Sequence, residues 1–228
     1  VTAVATGASL TLALRYDGAV SAFDAVDGAL LWTTPVGEWA EHPAVVDGDR
    51  VLVPSPAGWV VALDAADGTE IWRARAPAPS ALTVWRDRIL VGGEGETVRA
   101  LDRSTGAELW SFEALGAVER PVAVGDMVLA AAHDGNVYAL DPWSGRLRWR
   151  IEMQTWVTTT PLFVGDVVVF GSLDGSLYCL RPPDAGEPLA VVRQSDGFRA
   201  TAETRDTRVR GFELILDDAS RAPARVRW

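Results

Sequence analysis

The chain contains no lysine, and its 21 basic residues are all arginine. We read this as a GC-rich coding bias, with arginine's preference for buried or interfacial pairing as a second cause. A single cysteine, Cys179, excludes an intramolecular disulfide. No apolar run approaches the roughly 18 residues that a membrane helix needs. Helical periodicity is missing over any useful length. The formal charge of −10 repels phosphate backbones and argues against a nucleic-acid partner. The two histidines, His42 and His133, stand far apart and lack a motif context. No Asp-x-Asp-x-Asp run offers calcium its six to eight oxygens. The chain opens at Val1 with no signal peptide, which reads as a processed or excised segment whose original address is missing.

What the sequence does have is a repeat. "DGNVYALDPWSGRLRW" fills Asp134 to Trp149, and the same device occupies Asp17 to Trp32, Ala57 to Trp72 and Glu94 to Trp110. A fifth copy begins at Asp174 and loses its tryptophan. The closing tryptophans Trp32, Trp72, Trp110 and Trp149 lie 40, 38 and 39 residues apart. Asp-Gly and Gly-Asp between alternating or β-branched runs are strong hairpin signals. A period near forty with this much strand signal predicts units that must stack on their neighbours to bury both faces.

Each unit reads as four strands. In the fifth these are Thr160 to Val164, Val167 to Ser172, Ser176 to Leu180 and a short fourth. The first strands are rich in Val, Ala and Pro, which fits an inner strand packed on both faces. The predicted fold is all-β: a β-propeller of four-stranded antiparallel blades, as one domain over 1–228. Five blades are clear, over 1–35, 42–75, 79–113, 119–152 and 158–193, and 197–228 forms either a degenerate sixth or a C-terminal arm. Residues 199–228 carry seven arginines and five acids, a net of +2, against −12 for the first 198. Closing the ring would hide the edge strands.

Within each copy, Ala, Asp, Gly and Trp recur in phase: Ala22/Asp24/Gly28/Trp32, Ala62/Asp64/Gly68/Trp72, Ala100/Asp102/Gly106/Trp110 and Ala139/Asp141/Gly145/Trp149. In the fifth copy Cys179 and Arg181 replace Ala and Asp. The glycine supplies a positive φ, the aspartate bonds turn amides, and the indole is a flat surface able to cover a glycine peptide. The pattern resembles the tryptophan-docking motif of pyrroloquinoline quinone (PQQ)-like β-propeller repeats. The resemblance implies that these residues are structural. It also implies one of three roles: a quinoprotein dehydrogenase, a protein-binding lipoprotein of outer-membrane assembly, or an extracytoplasmic sensor domain of a bacterial serine/threonine kinase.

The quinoprotein role asks for a vicinal disulfide and about eight blades, whereas Cys179 is alone and five or six units are visible. The expectation is therefore a non-catalytic binding module, a scaffold or sensor with no cofactor and no metal. It would present its loop face to a protein or small ligand, in a periplasmic or extracytoplasmic setting, with a cytoplasmic one left open. A quinone- or metal-dependent oxidoreductase, or a fragment of a larger receptor or kinase, are the alternatives. On a propeller the connections between blades share a face with the second-to-third turns, and loop-built faces carry function. The candidate binding residues there are Trp39, Glu41, His42, Glu119, Arg120, Trp156 and Thr158. Trp and Arg are the residues most often found at binding hot spots. The competing expectation is that Trp39 and Trp156 seal gaps between blades.

Overall fold

A computed structural model describes residues 3–7, 9–37, 42–152, 156–164, 167–173, 177–181, 190–194 and 213–216. They fall into two compact units, Val1–Pro121 and Val122–Trp228, taken here in turn.

The first unit holds three antiparallel four-stranded sheets, each a meander in which consecutive strands pair. The first blade is β1 (Ala3–Thr6), β2 (Leu10–Leu14), β3 (Ala19–Asp24) and β4 (Leu30–Pro35). The second is β5 (Val45–Asp47), β6 (Arg50–Ser55), β7 (Trp59–Asp64) and β8 (Glu70–Arg75). The third is β9 (Thr83–Trp85), β10 (Arg88–Val91), β11 (Thr97–Asp102) and β12 (Glu108–Glu113).

Side-chain alternation explains the packing. On β6 and β7, Val51, Val53, Val61 and Leu63 join Leu10, Leu12, Leu14, Ala22 and Trp32 of the first blade in one core. The intervening Leu52, Val60 and Ala62 join Leu82, Ile89, Val91 and Leu101 of the third blade in another. A sheet buried on both faces must be apolar at successive positions, and "RVLVPS" and "WVVALD" are. The outer strands β4, β8 and β12 show the opposite pattern, with a buried tryptophan between exposed neighbours.

The repeat motif is a turn with a fixed hydrogen-bond set. In the first three blades Gly28, Gly68 and Gly106 donate their amides to the carbonyls of Asp24, Asp64 and Asp102. The same aspartates accept the amides of Val26, Ala66 and Ser104 on Oδ1. Each glycine has φ near +74°, a left-handed conformation that favours glycine. The outer strand then skips one residue. Ala22, Ala62 and Ala100 pair with Trp32, Trp72 and Trp110, while the next pairs are Phe23 with Leu30, Leu63 with Glu70 and Leu101 with Glu108. This bulge, absent from the sequence reading, re-aims the strand as it leaves the turn. Alanine opposite tryptophan leaves room for the ring.

The indole of Trp32 lies on the glycine turn of the next blade. A Cβ added to Gly68 would stand 2.5 Å from Trp32 Cε3, and one added to Gly106 would stand 2.5 Å from Trp72 Cε3. Trp32 Nε1 donates to Ala65 O at 2.9 Å, and Thr34 Oγ1 donates to Gly68 O at 2.7 Å. Trp72 differs, because its buried Nε1 meets no hydrogen-bond acceptor among the described residues. The carbonyl at the equivalent place, Arg103 O, receives Arg50 Nη1 at 2.6 Å. Arg103 in turn clamps Asp47 of the second blade with Nε and Nη2.

The second unit has β13 (Val122–Val124), β14 (Met127–Ala131), β15 (Asn136–Leu140) and β16 (Leu147–Glu152) as its first blade. Its second is β17 (Leu162–Val164), β18 (Val167–Gly171), β19 (Leu177–Arg181) and β20 (Ala190–Gln194). The turn and bulge recur: Gly145 donates to Asp141 O, and Ala139 pairs with Trp149. Leu129, Val137, Trp149 and Ile151 pack with Val157, Val168, Phe170 and Tyr178. In the last blade Val192 stands opposite Cys179, where the other blades place tryptophan opposite alanine. The strand β21 (Glu213–Leu216) pairs antiparallel with β16 as a fifth strand; the rest of 197–228 lies outside the described residues.

The two indoles give a differential prediction. Replacing Trp32 by Phe removes a buried hydrogen bond worth about 1 kcal/mol, whereas the same change at Trp72 removes an unpaired donor. Urea unfolding of the two variants should therefore show Trp32→Phe as the more destabilised. Equal losses, or a larger one for Trp72→Phe, would contradict the assignment.

Candidate functional site

In the first three blades the end of the outer strand is tied to the second-to-third turn. Val36 donates its amide to Gly18 O, Ala76 to Gly58 O and Ala114 to Glu96 O. Blade connections and turns therefore lie at one end of each sheet, as expected from sequence. In the first unit the connections are pinned further. Ser80 donates to Gly92 O, Glu94 to Ala78 O and Val118 to Gly93 O. No side chain fits there: a Cβ on Gly92 would stand 2.6 Å from Glu119 O, and one on Gly93 would collide with Ala78 O. Glu119 is half-buried over this glycine pair, and Arg120 beside it is exposed. His42 is half-buried at the start of the second blade, while Trp39 and Glu41 lie outside the described residues.

The second unit places Trp156 most distinctly. It is 55% exposed, and its ring stacks on His133 with 5.9 Å between centroids and 3° between planes. Its backbone is fixed: Trp156 O accepts Leu173 N and Ser172 Oγ, both at 3.1 Å. Val157 bridges Ser172 and is fully buried. Thr158 is half-buried between Val157 and Thr159, whose Oγ1 accepts Gly171 N at 2.7 Å. Trp156 thus exposes more than half of its surface while its ring lies on His133. Leu173, 61% exposed, follows the residue that anchors it.

His133 immediately precedes the Asp134-Gly135 turn. It is half-buried and carries the Trp156 ring. The turn beneath is ordered by Asp134, which accepts Asn136 N on Oδ1 and Tyr138 Oη on Oδ2. Sequence reasoning missed this pair because the partners come from different blades, 23 positions apart. Of the other tryptophans outside the motif, Trp59 lies against Arg73 and Arg75, Trp85 against Arg86, and Trp143 is exposed.

The perturbed acids belong to turns and ion pairs. Hydrogen bonds from Ser104 and Thr105 hold Asp102 down to about 2. Asp141 is lowered to about 2, first by Arg148 and then by the Ser144 and Trp143 donors. Arg148 also lowers Asp126. Depressed acids of this kind are structural caps, in contrast to the raised carboxyls of general acids. Among the described residues no three His, Cys, Asp or Glu side chains gather into a metal-binding group. No helix among them is long and apolar enough to cross a membrane.

Antiparallel four-stranded blades, with the indole of one laid on the glycine turn of the next, define a β-propeller of PQQ-like repeats. The family model described as outer membrane protein assembly factor BamB matches residues 16–200, and the chain belongs to that family. Among solved structures it is similar to BamB from Moraxella catarrhalis, at 23% identity over 78% of this chain and a TM-score of 0.69. It spans 57% of that protein's length. The computationally designed proteins Ika8 and Ika4 are also similar. Ika8 is 21% identical over 79% of this chain and 57% of its own, with a TM-score of 0.72. Ika4 is 20% identical over 61% of this chain and 89% of its own, with a TM-score of 0.57. At these identities the likeness is one of fold. No curated protein matches the chain.

The capped turns make stability depend on acid. The folded pKa of Asp141 and Asp102 is about 2, below the ordinary 3.8. Their contribution is therefore complete above about pH 4 and lost as pH falls towards 2. Urea midpoints between pH 6 and 2 should drop across that window, and Asp141→Asn should flatten the drop. An unchanged acid limb in the variant would remove Asp141 from the account.

Proposed function

We propose that the chain is a non-catalytic scaffold propeller that binds a protein partner through its loop face. Membership of the assembly-factor family over residues 16–200 carries the reading. Trp156 on its His133 mount is the anchor, because an exposed, immobilised aromatic loses little entropy on binding. Thr158 and Leu173 flank it in the second unit. Glu119, Arg120 and His42 are the polar candidates on the first unit's own connections, and Trp39 and Glu41 belong to the same proposed set by sequence position. The family name supports an extracytoplasmic, outer-membrane-associated setting for this work.

A photo-crosslinking amino acid at Leu173, used in a cell-envelope fraction, tests this. One or a few proteins should be captured saturably. Trp156→Ala should cut capture by at least about tenfold, the equivalent of about 1.4 kcal/mol, with no change in Tm. A large fall in Tm with capture intact would make Trp156 a packing residue. A saturable change in the visible spectrum on adding pyrroloquinoline quinone and calcium would overturn the non-catalytic half.

A further inference from the structure

The blade of β13 to β16 does not end at its fourth strand: β21 continues the sheet along the outer edge of β16. That edge therefore accepts an extended segment, antiparallel and in one register. Trp149 stands opposite Leu216, Arg150 opposite Ile215, Ile151 opposite Leu214 and Glu152 opposite Glu213. Successive residues of a strand point to opposite faces. Trp149 and Ile151 are buried in the core of this unit, and β21 sets leucine opposite both. Arg150 and Glu152 share the other face with Tyr138 and Asn136, their partners on β15.

On that charged face the match fails. β21 sets an acid opposite Glu152 and an uncharged residue opposite Arg150. Like charges directly opposite destabilise an antiparallel pair, and opposite charges stabilise it. Arg150 is half-buried, and its buried Nε meets no acceptor among the described residues. Glu152 is exposed. The edge calls for an anion opposite Arg150 and a cation opposite Glu152, with an apolar residue between. In the antiparallel direction that is the order basic, apolar, acidic, and β16 itself supplies it as Arg150-Ile151-Glu152.

We propose that the outer edge of β16 is a self-complementary docking site for the same strand of a second copy of the chain, with β21 as its displaceable cover. A two-fold axis through Ile151 pairs the two strands antiparallel. It places Arg150 of each copy opposite Glu152 of the other, and Ile151 opposite its own counterpart, as an isologous contact requires. Both charge pairs form at once, and Arg150 Nε gains a carboxylate on the strand beside it. An uncovered outer strand is open to unspecific pairing, so the cover also protects the free chain. The dimer is weak for two reasons. It rests on a short stretch of ladder, and β21 competes from within the same chain at roughly millimolar effective concentration. The contact uses none of the residues placed around Trp156 and does not depend on the function assigned to them.

Leu214→Pro combined with Ile215→Pro releases the cover. Successive amides of a strand point to opposite edges, so one of the two lost N–H groups faced β16. Sedimentation of the whole chain from micromolar to millimolar concentration measures the result. The double-proline chain should dimerise at least about tenfold more tightly than the parent. Amides of Trp149 to Glu152 should gain hydrogen-exchange protection as its concentration rises. Adding Glu152→Arg, at an exposed position, sets like charges opposite Arg150 in both copies. It should weaken the dimer by a similar factor with Tm unchanged. A double-proline chain that stays monomeric overturns the proposal and leaves a strand of another protein as the edge's occupant. So does a dimer that Glu152→Arg leaves unchanged, or one that protects amides outside β16 alone.

Discussion

An indole pressed on a glycine peptide is the contact on which the architecture rests. A four-stranded sheet of some forty residues has two faces and too little apolar surface to stand alone. Trp32 on Gly68 and Trp72 on Gly106 fix how successive sheets meet. The demand is strict at both ends. The turn must be glycine, since a Cβ would overlap the ring, and the strand residue opposite the indole must be small, hence Ala22 and Ala62. The aspartate completes the unit by holding the turn in shape before the ring arrives. Packing, turn geometry and strand register are thus one constraint expressed by four residues.

The seat is reused with variations that reveal its tolerances. Around Trp72 the carbonyl that would receive the indole N–H is taken by Arg50, and Arg103 reaches back to Asp47. The second and third blades are therefore joined by an arginine–aspartate clamp in addition to the ring. In a chain whose cations are all arginine, planar bidentate pairing of this kind is available at every turn. In the last blade the tryptophan position is Val192, so that sheet is built without an indole of its own.

The strands and turns were legible in the sequence because each is written within one repeat, whereas the two-faced burial expected of the first strands falls on the second and third instead, with β5 and β9 only half-buried. The tryptophan spacing marked the period, and Asp-Gly pairs marked the hairpins. What could not be read depends on two repeats at once. The stacking of Trp156 on His133, the Arg50–Arg103–Asp47 chain and the convergence of two connections on Gly92 and Gly93 each join residues from separate repeats. The family match came from the same internal signature that gave the fold, whereas the site residues carry no signature.

The bulge that follows every motif turn has a further consequence. It leaves one residue of each outer strand without a cross-strand mate: Leu31, Ile71, Leu109 and Arg148. The first three are exposed, and the fourth reaches Asp126 and Asp141. Such a slot is free of the core's spatial demands and repeats at a fixed interval along the chain. At Leu31, Ile71 and Leu109 it gives each blade an interchangeable label, open to alteration by evolution or by an engineer without disturbing the sheet beneath.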